Sequence, residues 1–175
     1  AGSSPTISLY GSSYLKQISR SLDYVGLSHS QIEKDALTST PPDSIDILFV
    51  AYDTADDPET VAWLNVFRAT GGRLFTFFLL PPEIQHLTGI RQLEFKSPKY
   101  RGQFAQIRTN DAVPGLPPVV HQRSWNVYGA EPATDSVVVA AHWHNLEGQD
   151  TRVPAVLVGP AGAHLTHVLL DGDPE

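Results

Sequence analysis

The chain has 175 residues, with 19 Asp and Glu against 12 Lys and Arg, seven His, no Cys and no Met. That length fits one domain, 1–175, burying roughly 70% of its unfolded surface, and 41% hydrophobic with 18% charged residues excludes a disordered chain or a coiled coil. A formal charge of -7 without a basic cluster argues against nucleic acid and an anionic membrane surface as partners, and the missing Cys removes disulfides, thiolate metal sites and Cys nucleophiles.

The start, Ala1-Gly2-Ser3-Ser4-Pro5, has neither a basic nor an apolar signal region, and with no Met anywhere the chain reads as a processed or excised part of a larger protein. Thr6 to Tyr10 reads as a strand. Ser12 or Ser13 can cap a helix whose apolar face is Leu15, Ile18, Leu22 and Val25, stopped by Gly26. A weaker strand spans His29 to Glu33, and Ile45 to Tyr52 is almost continuously apolar, the pattern of a parallel strand buried on both faces. Asp57 as N-cap, Pro58 at N1 and Gly71-Gly72 at the end mark the next helix. Arg73 to Leu80 is a further central strand, the longest apolar run (Leu74 to Pro82, broken only by Thr76) being far short of a membrane span. Pro81-Pro82-Glu83 opens a short helix closed by Gly89. This βαβαβα rhythm predicts right-handed crossovers onto a parallel, doubly wound sheet. Beyond residue 90 no long helical period is visible, and strands are expected at Gln92–Lys96, Gln103–Thr109, Ser136–Trp143, Val153–Val158 and His164–Leu170, the last two joined by the Gly159-Pro160-Ala161-Gly162 turn.

Three stretches carry a resemblance. They are "IDILFVAYD" with the helix "DPETVAWLNVFRATGGRLFTF", the late "AAHWHNLEGQDTRVPAVLVGPAG", and the closing "AHLTHVLLDGD". In their order the chain resembles the class I glutamine amidotransferase-like superfamily, and within it the non-catalytic branch beside glycoside hydrolase domains, such as the β-galactosidase trimerisation domain. The resemblance implies a flavodoxin-like three-layer α/β sandwich, parallel in its N-terminal half and antiparallel in its C-terminal half. In active amidotransferases the strand after the Gly-Gly turn ends in a nucleophile elbow. The matching residues here are Phe77-Phe78-Leu79-Leu80-Pro81-Pro82-Glu83, with no Cys or Ser and no glycine for a positive-φ turn. Amidotransferase chemistry at that position lacks the group to be activated.

Candidate ligand residues lie beyond the carboxyl ends of the parallel strands: Tyr10, Gly11, Ser12 and Ser13 after the first, and Tyr52, Asp53 and Thr54 after the third. Gly-Ser-Ser offers amides and hydroxyls to a small anion or a sugar hydroxyl, while plain helix capping explains the same serines. His142-Trp143-His144 on a strand places both imidazoles on one face, where Glu147, Asp171 or Asp173 could add a third metal ligand; a partly exposed strand face is the simpler account. Trp125, Trp143, Tyr128 and Tyr100 could form a stacking platform for a sugar, although Trp63 and Trp143 equally suit a core. Asp53, Asp56 and Asp57 read as a solvated loop, and odd spacing puts His164 and His167 on opposite faces of the last strand.

Two functions fit these residues. One is a non-catalytic, amidotransferase-like accessory domain of a carbohydrate-processing protein, needing no cofactor and acting through docking, oligomerisation or sugar contact. Its partners would be other domains of the same polypeptide, copies of itself or carbohydrate, and the resemblance favours a secreted or periplasmic setting. The other is a small hydrolase in which two or more of Ser12, Asp53, His121, His142 and His144 converge.

Overall fold

The computed structural model describes residues 4–11, 15–51, 57–122 and 126–168. Five short strands build its parallel half: β1 (Ile7–Tyr10), β2 (His29–Ile32), β3 (Ile47–Val50), β4 (Arg73–Phe77) and, much later in the chain, β11 (Gly162–Leu165). Helices α1 (Lys16–Tyr24), α2 (Pro58–Ala69) and α3 (Pro82–Thr88) connect the early ones. The C-terminal half adds β6 (Gln106–Thr109), β7 (Val119–His121), β9 (Val138–His144) and β10 (Asp150–Gly159), all antiparallel. Together they form one nine-stranded sheet in the order β2-β1-β3-β4-β11-β10-β9-β6-β7. A separate antiparallel ribbon pairs β5 (Ile90–Lys96) with β8 (Val127–Pro132). The result is a three-layer α/β sandwich with a mixed sheet and flavodoxin-like topology.

Alternation along the central strands explains the layers. Ile7 and Leu9 of β1, Phe49 of β3 and Phe77 of β4 meet Ile18 and Leu22 of α1 on one face. Tyr10, Leu48, Val50 and Leu74 point the other way, against Trp63, Leu64 and Phe67 of α2 and Ile84 of α3. Each fully buried Leu or Phe contributes about 1.5–3 kcal/mol relative to exposure, so this double burial is what holds four-residue strands in place. A third cluster, Phe104, Ile107, Val127, Ala141, Trp143 and Ala155, fills the antiparallel half.

Local signals hold where they are strongest. The Asp57 side chain accepts from the Thr60 amide at 2.8 Å with Pro58 at N1, and Gly89 ends α3 in the left-handed region. The expected cap at Ser12 or Ser13 lies outside the described residues; the described helix begins at Lys16. Val25 is corrected: it is 64% exposed, because α1 stops at Tyr24 and Gly26, at φ 75°, turns the chain before a further face position forms. The strands expected over Ile45–Tyr52 and Arg73–Leu80 are shorter, and β7 and β8 are additional to those expected. β7 has only three residues and β8 contains Gly129 and Pro132, so their pairing with β6 and β5 defines them, rather than their own pattern.

Candidate functional site

β1, β3, β4 and β11 run parallel, so their carboxyl ends share one edge of the sheet. The ladder register brings the ends of β9 and β7 to that same edge. At the end of β4 the chain does something its sequence does not announce. Phe78 sits at φ 54°, a left-handed conformation unusual for a bulky residue, and its amide donates to the Leu165 carbonyl at 2.8 Å. The expectation that the missing glycine abolishes the positive-φ turn is therefore corrected: the turn is present, and Phe78 occupies it.

Two glutamines hold the chain beyond Phe78. The Leu80 amide donates to the Gln92 side-chain carbonyl, and Gln92 Nε2 donates to the Gly129 carbonyl at 2.9 Å. Gln85 accepts from the Gln92 amide at 3.0 Å and donates to the Leu80 carbonyl at 3.2 Å. The segment after the elbow is thus tied to α3 and to the ribbon by side-chain amides. The Phe78 ring meets Tyr128 edge-on at 5.6 Å and Phe95 at 6.2 Å, while Phe95 and Tyr128 lie 6.2 Å apart. Residue-by-residue reading missed this cluster; Phe78 and Phe95 stood in predicted strands with nothing to bring them together.

Of the residues singled out from sequence, Ser12, Ser13, Tyr52, Asp53, Thr54, Asp56, Trp125, Asp171 and Asp173 lie outside the described residues. Tyr10 is corrected from the crevice to the core, fully enclosed with its hydroxyl 3.1 Å from Thr60 Oγ1 on α2. Trp143 is likewise buried rather than a platform, its indole N–H donating to Thr166 Oγ1 at 2.9 Å, and Trp63 bonds the Thr40 carbonyl at 2.8 Å. Tyr100 is exposed, and its hydroxyl accepts from Asn145 Nδ2 at 3.3 Å.

His142 and His144 do share the face opposite Trp143. Their cross-strand neighbours are Arg108 and Pro154 for His142, and Gln106 and Asp150 for His144. His144 Nδ1 lies 3.2 Å from the His142 carbonyl. Among the described residues no group of three or more His, Asp or Glu could hold a metal ion. His121 stands in the same row as His144 with Gln106 between them, so the two backbones are two ladder spacings, or about 9.5 Å, apart. An open cleft of about 540 Å³ lies between the segment Lys34–Ser39 and the start of α2. Of its carboxylates, Asp57 is engaged as the helix cap, and bonds from Thr60 hold its pKa below the usual value.

Comparison with solved structures places this geometry. A β-galactosidase from Bacillus circulans sp. alkalophilus superposes with a TM-score of 0.69 at 12% identity, covering 93% of this chain and 28% of that one. A glutamine amidotransferase from Methylobacillus flagellatus matches with a TM-score of 0.55 at 11% identity, covering 94% and 69%. The fold is amidotransferase-like. A ThuA-like protein from Bacteroides uniformis shares it, with a TM-score of 0.66 at 12% identity over 96% of this chain and 84% of that one. The chain spans little more than a quarter of the β-galactosidase, so that likeness is to one part of a larger glycoside hydrolase. No family model matches the chain, and no curated protein sequence does.

Proposed function

We propose that this chain is a non-catalytic, amidotransferase-like accessory domain of a carbohydrate-processing multidomain protein, working through contact with neighbouring domains, with copies of itself or with carbohydrate. One observation carries the reading: the elbow keeps its strained backbone while presenting Phe78, a side chain that can neither attack nor transfer a proton. The matches to single parts of larger glycosidases support the setting. No helix among the described residues is long and apolar enough to cross a membrane. Export to the periplasm or the medium belongs to the same reading, and fractionation of the source cells tests it.

The purified chain is expected to release no ammonia from glutamine and no nitrophenol from nitrophenyl glycosides. Turnover of either that persists through repurification would overturn the accessory reading. A hydrolase built on His142 and His144 would in addition lose its turnover when both are changed to Ala.

A further inference from the structure

Three local irregularities converge on the elbow, and each serves the same end. The first is the left-handed Phe78. The second is a bulge in β5: Gln92 pairs with Ala130 and Phe95 with Tyr128, so three steps on β5 answer two on β8. Without that extra residue Glu94 would stand opposite Tyr128, and Phe95 would face the other way. The third is Gly129, where a Cβ would lie 3.0 Å from Lys96 Cε, 3.2 Å from the Glu94 carbonyl and 3.3 Å from Leu93 Cβ, so the glycine lets the bulged strand pack closely against β8. A bulge bends its strand and re-aims the side chains beside it, and a strained residue persists only where the surrounding structure over-determines it.

What they assemble is an aromatic corner at the carboxyl edge of the sheet. Phe95 remains 48% exposed, and Phe78 and Tyr128 are half-buried behind it. Two polar groups accompany the rings: the Tyr128 hydroxyl and the Leu79 amide next to the elbow carry no hydrogen bond among the described residues. We propose that this corner is a binding site for a neutral pyranose ring, its C–H face on Phe95 and the rings behind it, its hydroxyls meeting Tyr128 and the Leu79 amide. A purely apolar ligand would leave both polar groups unmet, and the charged side chains flanking Phe95, Glu94 and Lys96, are already paired with each other at 3.0 Å. A ring with one apolar face and a hydroxylated edge satisfies both. The inference deepens the accessory reading by naming the surface through which carbohydrate is met.

Saturation-transfer and amide-shift NMR titrations with methyl β-galactopyranoside, β-glucopyranoside and β-mannopyranoside test it. Millimolar binding is expected for at least one, with the Leu79 amide shifting. Because Phe95 is exposed, Phe95→Ala should leave the fold intact and weaken binding about 5- to 10-fold, whereas Tyr128→Phe should weaken it about 2- to 5-fold. No transfer from any of the three sugars, or binding unchanged in Phe95→Ala, overturns the proposal. Preferential binding of a hexaproline peptide also overturns it and makes the corner a peptide-docking site. A blank titration leaves the accessory reading intact, while glutamine or glycoside turnover would remove that reading without altering these titrations.

Discussion

His164 on β11 is completely enclosed, with Nδ1 2.9 Å from Thr76 Oγ1 on the neighbouring strand and Nε2 without a partner among the described residues. Burial disfavours the imidazolium and lowers the pKa from 6.5 to about 4. The unfolded chain takes up a proton as pH falls through 6.5, whereas the folded chain does not until about 4. This residue's contribution to stability is therefore complete above 6.5 and is lost across that window, a change of about 3 kcal/mol. Urea midpoints measured from pH 7 to pH 4 should fall steeply in the wild type and less steeply in His164→Gln. Equal slopes would show that the imidazole is not held neutral. From the sequence, His164 and His167 read as alternating along one strand. In the structure β11 ends at Leu165, and His167 packs edge-on against Trp143 beyond it, so the alternation has no strand to run on.

Elements differ in how openly their residues declare them. α2 could be placed to the residue because its start and stop are written locally: Asp57 to cap, Pro58 to begin, Gly71 to turn at φ 95°. The elbow could not, since what supports Phe78 comes from afar: the Leu165 carbonyl on β11, and Gln92 taking the Leu80 amide. Tertiary support of that kind leaves no mark in the sequence around residues 77–83. It does leave an energetic one. Phe78→Ala and Phe78→Gly both lose the contacts with Phe95 and Tyr128, but only glycine adopts φ 54° without steric cost. Phe78→Gly should therefore be more stable than Phe78→Ala by about 1 kcal/mol in urea denaturation, the reverse of the order found in ordinary strands. Equal stabilities would mean that the positive φ relaxes once the ring is gone.

Across the whole molecule the parallel and antiparallel halves meet at one strand. β11 runs parallel to β4 on one side and antiparallel to β10 on the other, and its first residue has no room for a side chain: a Cβ on Gly162 would sit 1.9 Å from the Leu74 carbonyl oxygen, at a φ of 132°. Gly162→Ala should cost upward of about 3 kcal/mol, read as a lowered urea midpoint. A change below about 0.5 kcal/mol would show that the junction yields easily. The sequence marked Gly162 as a hairpin turn residue, which it is, but the approach of β4 is a non-local demand that no turn pattern encodes.

That junction also orders events in time. On a ribosome, β4 and the strands before it are made long before β11 exists; the bond between Thr76 and His164 spans 88 positions. A nascent chain that has completed β4 carries an open edge with Phe75 and Phe77 beside it, inviting pairing with the wrong strand. Protection comes only when β11 emerges and slips between β4 and β10. Stalled synthesis between residues 77 and 162 would leave the half-built sheet to whatever chaperone reaches it first.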